Sequence, residues 1–187
     1  MKTKYSQYSD SELIAMLKGE KQRAEQAFTE LYQRYSPMVH AYCLRVLGDR
    51  DRAEDVFQET MIKFYHNVDP DRETLNVPGF MITIARNLCL NAKRDTKQTV
   101  PVEDINYYTD SNSQIENKEL LGLITSSLDL LDFDYREAFV LREYDGLPYE
   151  QIAEITNTTV SNAKSRVSRA KQKIKTILAP YLKELCN

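Results

Sequence analysis

Between Thr159 and Thr176 the chain places six cations, Lys164, Arg166, Arg169, Lys171, Lys173 and Lys175, and no carboxylate. Interleaved with them are the short polar side chains Ser161, Asn162, Ser165 and Ser168. That mixture suits a nucleic acid. Lys164 and Arg169 can reach guanine acceptors, and short hydroxyls allow close approach to base edges. Arg166, Lys171, Lys173 and Lys175 suit phosphates, which fix register without reading sequence. Thr159 stands where an N-cap would, just ahead of free backbone N–H groups that can meet a phosphate.

The apolar residues of this stretch explain how it would be presented. Val160, Ala163, Val167, Ala170, Ile174 and Ile177 recur at helical spacing on one face. A shorter helix over 147–155, with Ile152, Ala153 and Ile155 inward, precedes it across the turn Thr156-Asn157-Thr158-Thr159. A short helix, a tight turn and a basic second helix make a helix-turn-helix. Small packing residues let the second helix sit close to its support and still protrude. Pro180 is expected to end it. The motif alone leaves open a repressor, an activator or another DNA-binding role.

Upstream the chain reads as helices throughout. Ser9-Asp10-Ser11-Glu12 forms a capping box for a short helix that Gly19 stops. A long helix follows over about 23–47, with Ala27, Phe28, Leu31, Tyr32, Tyr35, Val39, Tyr42, Cys43 and Val46 apolar and Pro37 expected to kink or split it. A third helix, from Asp51 to about Asn67, buries Ala53, Val56, Phe57, Thr60, Met61 and Phe64. Asp55, Gln58, Glu59 and Ile62 then share a different face, which on pattern alone meets water. After a loop over 68–79, a fourth helix spans Phe80 to about Arg94 with Ile82, Ile84, Ala85, Leu88 and Cys89 inward. Periodicity is lost from Asp95 to about Asn117. It resumes at Leu120, Leu121, Ile124 and Leu128, and a further helix carries Tyr135, Ala138, Phe139 and Leu141 up to Gly146. The expected fold is all-α: two small helical domains, 1–95 and 118–187, joined by a flexible acidic linker over 96–117.

Composition narrows the function classes. The 187 residues include 42% apolar side chains but only 5 Gly, 6 Pro and no Trp, which favours helices over sheet. No apolar run approaches the roughly 20 residues that span a bilayer, and the N-terminus lacks a secretory pattern, so the expected location is cytoplasmic. Cys43, Cys89 and Cys186 are scattered, and His40 and His66 have no ligand cluster around them, so no zinc site, disulfide framework or cofactor is expected. No catalytic grouping or Gly-rich phosphate loop appears, so the chain reads as a non-enzyme without a small-molecule substrate. Net charge is −3, unevenly spread: residues 96–134 hold 2 basic and 8 acidic side chains, and 135–187 hold 9 basic and 6 acidic.

Two segments taken together resemble the extracytoplasmic-function sigma factors, the small promoter-recognition subunits of bacterial RNA polymerase. Asp51-Arg52-Ala53-Glu54-Asp55-Val56-Phe57-Gln58-Glu59-Thr60, with Pro78-Gly79-Phe80-Met81-Ile82-Thr83-Ile84-Ala85-Arg86-Asn87, is similar to the family's region two. Gly146 to Lys173 is similar to region four. The resemblance implies that Asp55, Gln58, Glu59 and Ile62 bind core RNA polymerase. It implies that the loop over 68–79 captures a flipped base of the minus-ten element, which helps nucleate melting. Phe80, Arg86, Asn87 and Asn91 are then candidates for single-stranded promoter DNA, and Lys93 and Arg94 for its phosphates. The helix-turn-helix would read the minus-thirty-five duplex. The linker, with Glu103, Asp104 and Asp110, would thread through polymerase. An anti-sigma factor is implied as a further partner. Pro148, Ser161-Asn162-Ala163 and Lys164 depart from the family's usual residues and leave the promoter sequence open. The reading that competes with this one is a conventional helix-turn-helix repressor or activator acting as a dimer on an operator.

Overall fold

A computed structural model describes residues 4–69, 76–96 and 115–185. The chain divides into two units, 1–98 and 99–187. Among the described residues all regular structure is helical, and no helix is long and apolar enough to cross a membrane.

The first unit holds α1 (Asp10–Met16), α2 (Lys21–Leu47), α3 (Arg50–Asn67) and α4 (Val77–Thr96). Helices α2, α3 and α4 pack on one another, and α1 lies on α2. The capping box is formed: the Ser9 N–H donates to Glu12 Oε2 at 2.7 Å and the Glu12 N–H to Ser9 Oγ at 3.3 Å. Gly19 is not the C-cap of α1, as the sequence suggests. Leu17 takes that place in an ordinary right-handed conformation. Gly48, at φ 71°, ends α2, and Asp49 caps α3 by accepting the Arg52 N–H at 3.0 Å.

Pro37 does not split α2, which is continuous over 27 residues. Proline removes one hydrogen bond to the carbonyl four residues back. Both Pro37 and that residue, Gln33, lie on the solvent side, where water can satisfy the carbonyl. Tyr32 is 40% exposed, so it does not belong to the buried face. Helix α4 starts three residues before the expected Phe80. Asn76 Oδ1 accepts the Gly79 N–H at 3.1 Å, and Pro78 and Gly79 fall in the first turn, where helix defects cost least. Met81, absent from the expected core, is fully buried. The part of the base-capture loop over 70–75 lies outside the described residues.

One guanidinium holds the N-terminal end together. Arg34 on α2 donates to Asp10 of α1 at 2.9 Å, to Glu30 at 2.9 Å and to the Tyr8 carbonyl at 2.8 Å. Beside it the Tyr35 hydroxyl donates to Asp10.

The second unit holds α5 (Ile115–Asp129), α6 (Phe133–Phe139), α7 (Tyr149–Ile155) and α8 (Val160–Leu185). Helix α6 runs into a π-helical turn, Val140–Tyr144, where the Asp145 N–H reaches back five residues to the Val140 carbonyl at 3.1 Å. Gly146, at φ 68°, redirects the chain, and Pro148 serves as N-cap of α7. Helices α5, α6 and α7 all pack against α8. Pro180 does not end α8, which continues to Leu185. Pro180 and Thr176, four residues back, are both exposed, so the same tolerance applies as at Pro37. Thr96 belongs to α4 and 115–117 to α5. The remainder of the expected linker, 97–114 with Glu103, Asp104 and Asp110, lies outside the described residues.

Burial first, then the hydrogen bond and charge of Asp10, push the Tyr35 phenol above its ordinary range, and the Arg34 charge opposes them. A group raised on folding contributes stability that is complete below its unfolded value, about 10 for a phenol, and is lost as pH rises through the folded one. Tyr35→Phe is therefore expected to be less stable than the parent at neutral pH. The gap should narrow above about pH 10, as read from urea unfolding across pH. A constant gap would mean that Tyr35 acts through packing alone.

Candidate nucleic-acid interface

Helix α8 buries Ala163, Val167, Ala170, Ile174 and Leu178. At 100° per residue its opposite face is a stripe of Ser161, Ser165, Ser168 and Gln172, exposed except for half-buried Ser165. Lys164, Lys171 and Lys175 run along the flank towards Tyr149 of α7. Arg166, Arg169 and Lys173 run along the flank towards α6. The fold thus sets a strip of short polar groups between two basic rails, an order of charges complementary to a duplex groove with its bordering phosphates.

The rails are not equally free. Arg166 pairs with Asp134 at 2.8 Å, Lys173 with Asp132 at 2.9 Å and Lys171 with Glu143 at 2.9 Å. Lys173 also lies 4.8 Å from the Tyr135 ring centroid. Among the described residues Arg169 meets the Tyr135 hydroxyl, at 3.4 Å, and no carboxylate, and the Lys164 ammonium lies 5.6 Å from the Tyr149 ring centroid. The sequence pattern assigns Arg166, Lys171 and Lys173 to phosphates, and their carboxylate partners come from residues 28 to 41 positions away.

The turn is held by its own side chains. Thr159 Oγ1 accepts the Asn162 N–H at 3.1 Å, which makes Thr159 the N-cap as expected. Asn162 is exposed, and its amide donates to Thr158 Oγ1 at 3.0 Å. Asn157 adopts φ 49°, a left-handed conformation that asparagine tolerates better than most residues. Thr156 is buried and returns its hydroxyl to the Ile152 carbonyl at 2.7 Å. Sequence reasoning missed Tyr149, Gln172 and Arg142. Gln172 continues the serine stripe four residues beyond Ser168, a spacing visible in the sequence. Tyr149, Lys164, Val167, Ser168, Lys171, Gln172 and Lys175 line a cleft of about 290 Å³. The Arg142 guanidinium stands 4.6 Å from the Tyr149 centroid and donates to the Leu147 carbonyl at 2.8 Å, fixing the entry to α7.

In the first unit Asp55, Gln58, Glu59 and Ile62 do share one exposed face of α3, and Ile62 is 58% exposed. Glu59 pairs with Lys63 at 2.9 Å. Glu54 accepts the Gln58 amide at 3.0 Å and lies 3.1 Å from His40 Nε2. The Gln58 hydrogen bond, with a smaller contribution from His40, holds the Glu54 carboxyl below its ordinary range against the effect of burial. Next to this face is an aromatic cluster formed by Phe28, Tyr32, Phe57 and Tyr65. Phe28 packs edge-on to Tyr65 at 5.2 Å, and Tyr32 lies 6.0 Å from Phe57.

The α4 candidates fall on two stripes. Phe80, Asn87, Asn91 and Arg94 recur at helical spacing; the last three are exposed, and Phe80 is half-buried with its ring 6.2 Å from Phe64. Arg86 and Lys93, seven residues apart, are half-buried on another flank. The six residues therefore do not form one surface. Among the described residues no cluster of His, Cys, Asp or Glu is arranged to hold a metal ion, and the Cys43 and Cys89 side chains are buried.

The profile of the family described as sigma-70 region 2 matches residues 31–99, and that of sigma-70, region 4 matches residues 121–174. The chain is 33% identical to the ECF RNA polymerase sigma factor EcfG of Rhodopseudomonas palustris over 76% of this chain and 80% of the relative. It is 30% identical to the ECF RNA polymerase sigma factor SigM of Bacillus subtilis, over 79% and 93%. Among solved structures it resembles the sigma factor RpoE bound to the anti-sigma factor NepR from Bartonella quintana. That match has a TM-score of 0.71 at 25% identity and covers 81% of this chain and 96% of the other.

Replacing Thr159 separates the cap from the approach of a phosphate. Thr159→Ala is expected to cost about 1 kcal/mol of stability. Thr159→Asp should keep the cap and the stability while weakening duplex binding, because it sets a carboxylate where a phosphate would come. Thermal melts and duplex titrations read the two effects; equal behaviour of both variants in both assays would refute the separation.

Proposed function

The chain belongs to the extracytoplasmic-function sigma factors of RNA polymerase, and on that premise we propose how its residues divide the work. As a sigma factor it binds core RNA polymerase and directs transcription initiation to promoters. The observation that carries the division is the order of the two regions on one chain, region 2 over 31–99 and region 4 over 121–174. The exposed α3 face of Asp55, Gln58, Glu59 and Ile62, with the adjoining aromatic cluster, is the docking surface for polymerase. The exposed stripe Asn87, Asn91 and Arg94, with the edge of Phe80, faces single-stranded DNA of the minus-ten element. Arg86 and Lys93 take phosphates on the other flank of α4. The serine stripe of α8, with Lys164 and Arg169, reads the duplex of the minus-thirty-five element.

The 1–95 segment thus holds polymerase and opens DNA, 96–117 links, and 118–187 anchors upstream. The protein acts in the cytoplasm, contributes no catalysis of its own and needs no cofactor. An anti-sigma factor is its regulator, the class of partner bound to its structural relative.

Purified protein mixed with core polymerase and a library of genomic fragments tests this. Initiation at discrete sites that depends on the added chain is the expected result. Gln58→Ala combined with Glu59→Ala should impair core binding while duplex contacts of α8 persist. Arg169→Ala should do the reverse, with a loss of about 1–3 kcal/mol in duplex binding if it reads a base. Tight dimeric binding to a palindrome without any affinity for core would show a conventional helix-turn-helix regulator instead.

A further inference from the structure

Three of the six cations between Thr159 and Thr176 already have a carboxylate, and the choice of which three is informative. Asp132 and Asp134, at the N-terminal end of α6, hold Lys173 and Arg166, and Glu143, in the π-helical turn, holds Lys171. Among the described residues Lys164, Arg169 and Lys175 form no ion pair. Lys164 and Arg169 border the serine stripe in the first turns of α8, where a base edge would be met. The cations assigned to the DNA backbone are mostly neutralised, and the two able to reach bases are not.

These pairs do not look like props of the fold. The carboxylate side chains of Asp132, Asp134 and Glu143 are 72%, 52% and 35% exposed, and of their cations only Arg166, at 21%, is mostly covered; ion pairs open to solvent contribute little to stability. The same unit supplies a contrast. Arg136 is only 11% exposed, pairs with Asp129 at 3.2 Å and also donates to the Asp129 carbonyl at 2.6 Å, which is an internal tie between α5 and α6.

Sequence-independent DNA affinity comes from cations that release counter-ions from phosphates. A cation held by a carboxylate of its own protein gives up part of that gain, and the carboxylate adds repulsion as the phosphates approach. This cost is the same for every duplex. Base contacts by the stripe return energy only on the right sequence. We propose that Asp132, Asp134 and Glu143 are built-in counter-ions that hold down non-specific duplex binding by α8 and so raise its discrimination between sequences. The inference rests on reading α8 as the duplex-binding helix.

The test uses the full chain carrying Asp132→Asn, Asp134→Asn and Glu143→Gln, changes that keep shape and leave an N-cap-competent residue at 132. Binding to a mixed-sequence duplex is titrated across salt. The expected result is tighter binding by about tenfold at low salt, and a plot of log affinity against log salt steeper by about 0.9 for each cation freed. In selection from a random duplex pool the variant should enrich its preferred sequence less than the parent does. An unchanged slope, or weaker binding by a variant that melts like the parent, would overturn the proposal, the second because it would make the acids positioning groups. Glu143→Gln alone lies away from the α6 N-terminus and should give about one third of the slope change, so a triple variant that folds poorly does not end the test. Lys164→Ala in the parent distinguishes the levels. If it leaves duplex binding unaltered, the reading of α8 falls and this inference with it. If it weakens binding while the acid variants change nothing, only the counter-ion role falls.

Discussion

Eight alanines mark where the helices of this protein come together: Ala24, Ala27, Ala53 and Ala85 in the first unit, and Ala138, Ala153, Ala163 and Ala170 in the second, all at most 5% exposed. Close approach of helix axes requires small side chains at the contact, and alanine costs no rotamer entropy there. The consequence reaches beyond packing. A helix supported tightly on one side holds its other side in a fixed orientation. The face of α3 bearing Gln58 and Glu59 exists because Ala53, Val56, Phe57, Thr60, Met61 and Phe64 seat the helix against α2 and α4. The serine stripe of α8 exists because Ala163, Val167 and Ala170 seat it against its neighbours. Each proposed functional surface is the complement of a buried one.

Charge is used in two distinct ways against this apolar background. Arg34 is half-buried and its donors are spent on Asp10, Glu30 and backbone carbonyls of the N-terminal segment. A guanidinium suits that position because its planar fork serves several acceptors at once and it stays charged. On α8 the paired cations Lys171 and Lys173 are exposed and Arg166 is half-buried, each is held by a single carboxylate, and the exposed bonds can be exchanged for others at small cost. The first arrangement fixes structure. The second leaves charge available, to a degree set by the neighbouring acids.

The sequence carried much of this because both signals are local. The six buried residues of α3 and the inward stripe of α8 follow from a period of 3.6, and Ser9, Gly48 and Thr159 announce helix ends through their own chemistry. Failures came where the deciding partner is distant or the backbone has a second option. Pro37 and Pro180 read as breaks, yet each leaves its orphaned carbonyl at the surface, which a one-dimensional pattern does not reveal. Asn76 captures the start of α4 and draws Pro78 and Gly79 into the helix. Tyr32 has the spacing of a core residue, but α3 leaves it at the rim beside Phe57. The π-helical turn after Phe139 has no residue signature. Of the site, the stripes on α3 and α8 were legible as stripes. The pairing of Arg166, Lys171 and Lys173 was not, since their carboxylates come from other elements.

The proposed partial neutralisation of both rails makes physical sense for a protein that binds DNA as part of a larger assembly. When a second contact is made by a tethered module, the tether supplies an effective concentration, and the module need not bind tightly by itself. For such a module strong phosphate affinity is a disadvantage. It would hold the free protein on any duplex, and genomic DNA offers a vast excess of wrong sites. Weak intrinsic attraction combined with intact base-reading groups gives little occupancy in isolation and selective occupancy once polymerase carries the module to a promoter. The modest positive charge of residues 135–187, with 9 basic against 6 acidic side chains, then follows from the same requirement as the spacing of Lys164 and Arg169 around the serine stripe. With α8 as the proposed duplex reader, both favour the sequence-dependent part of the binding energy over the part that every duplex supplies.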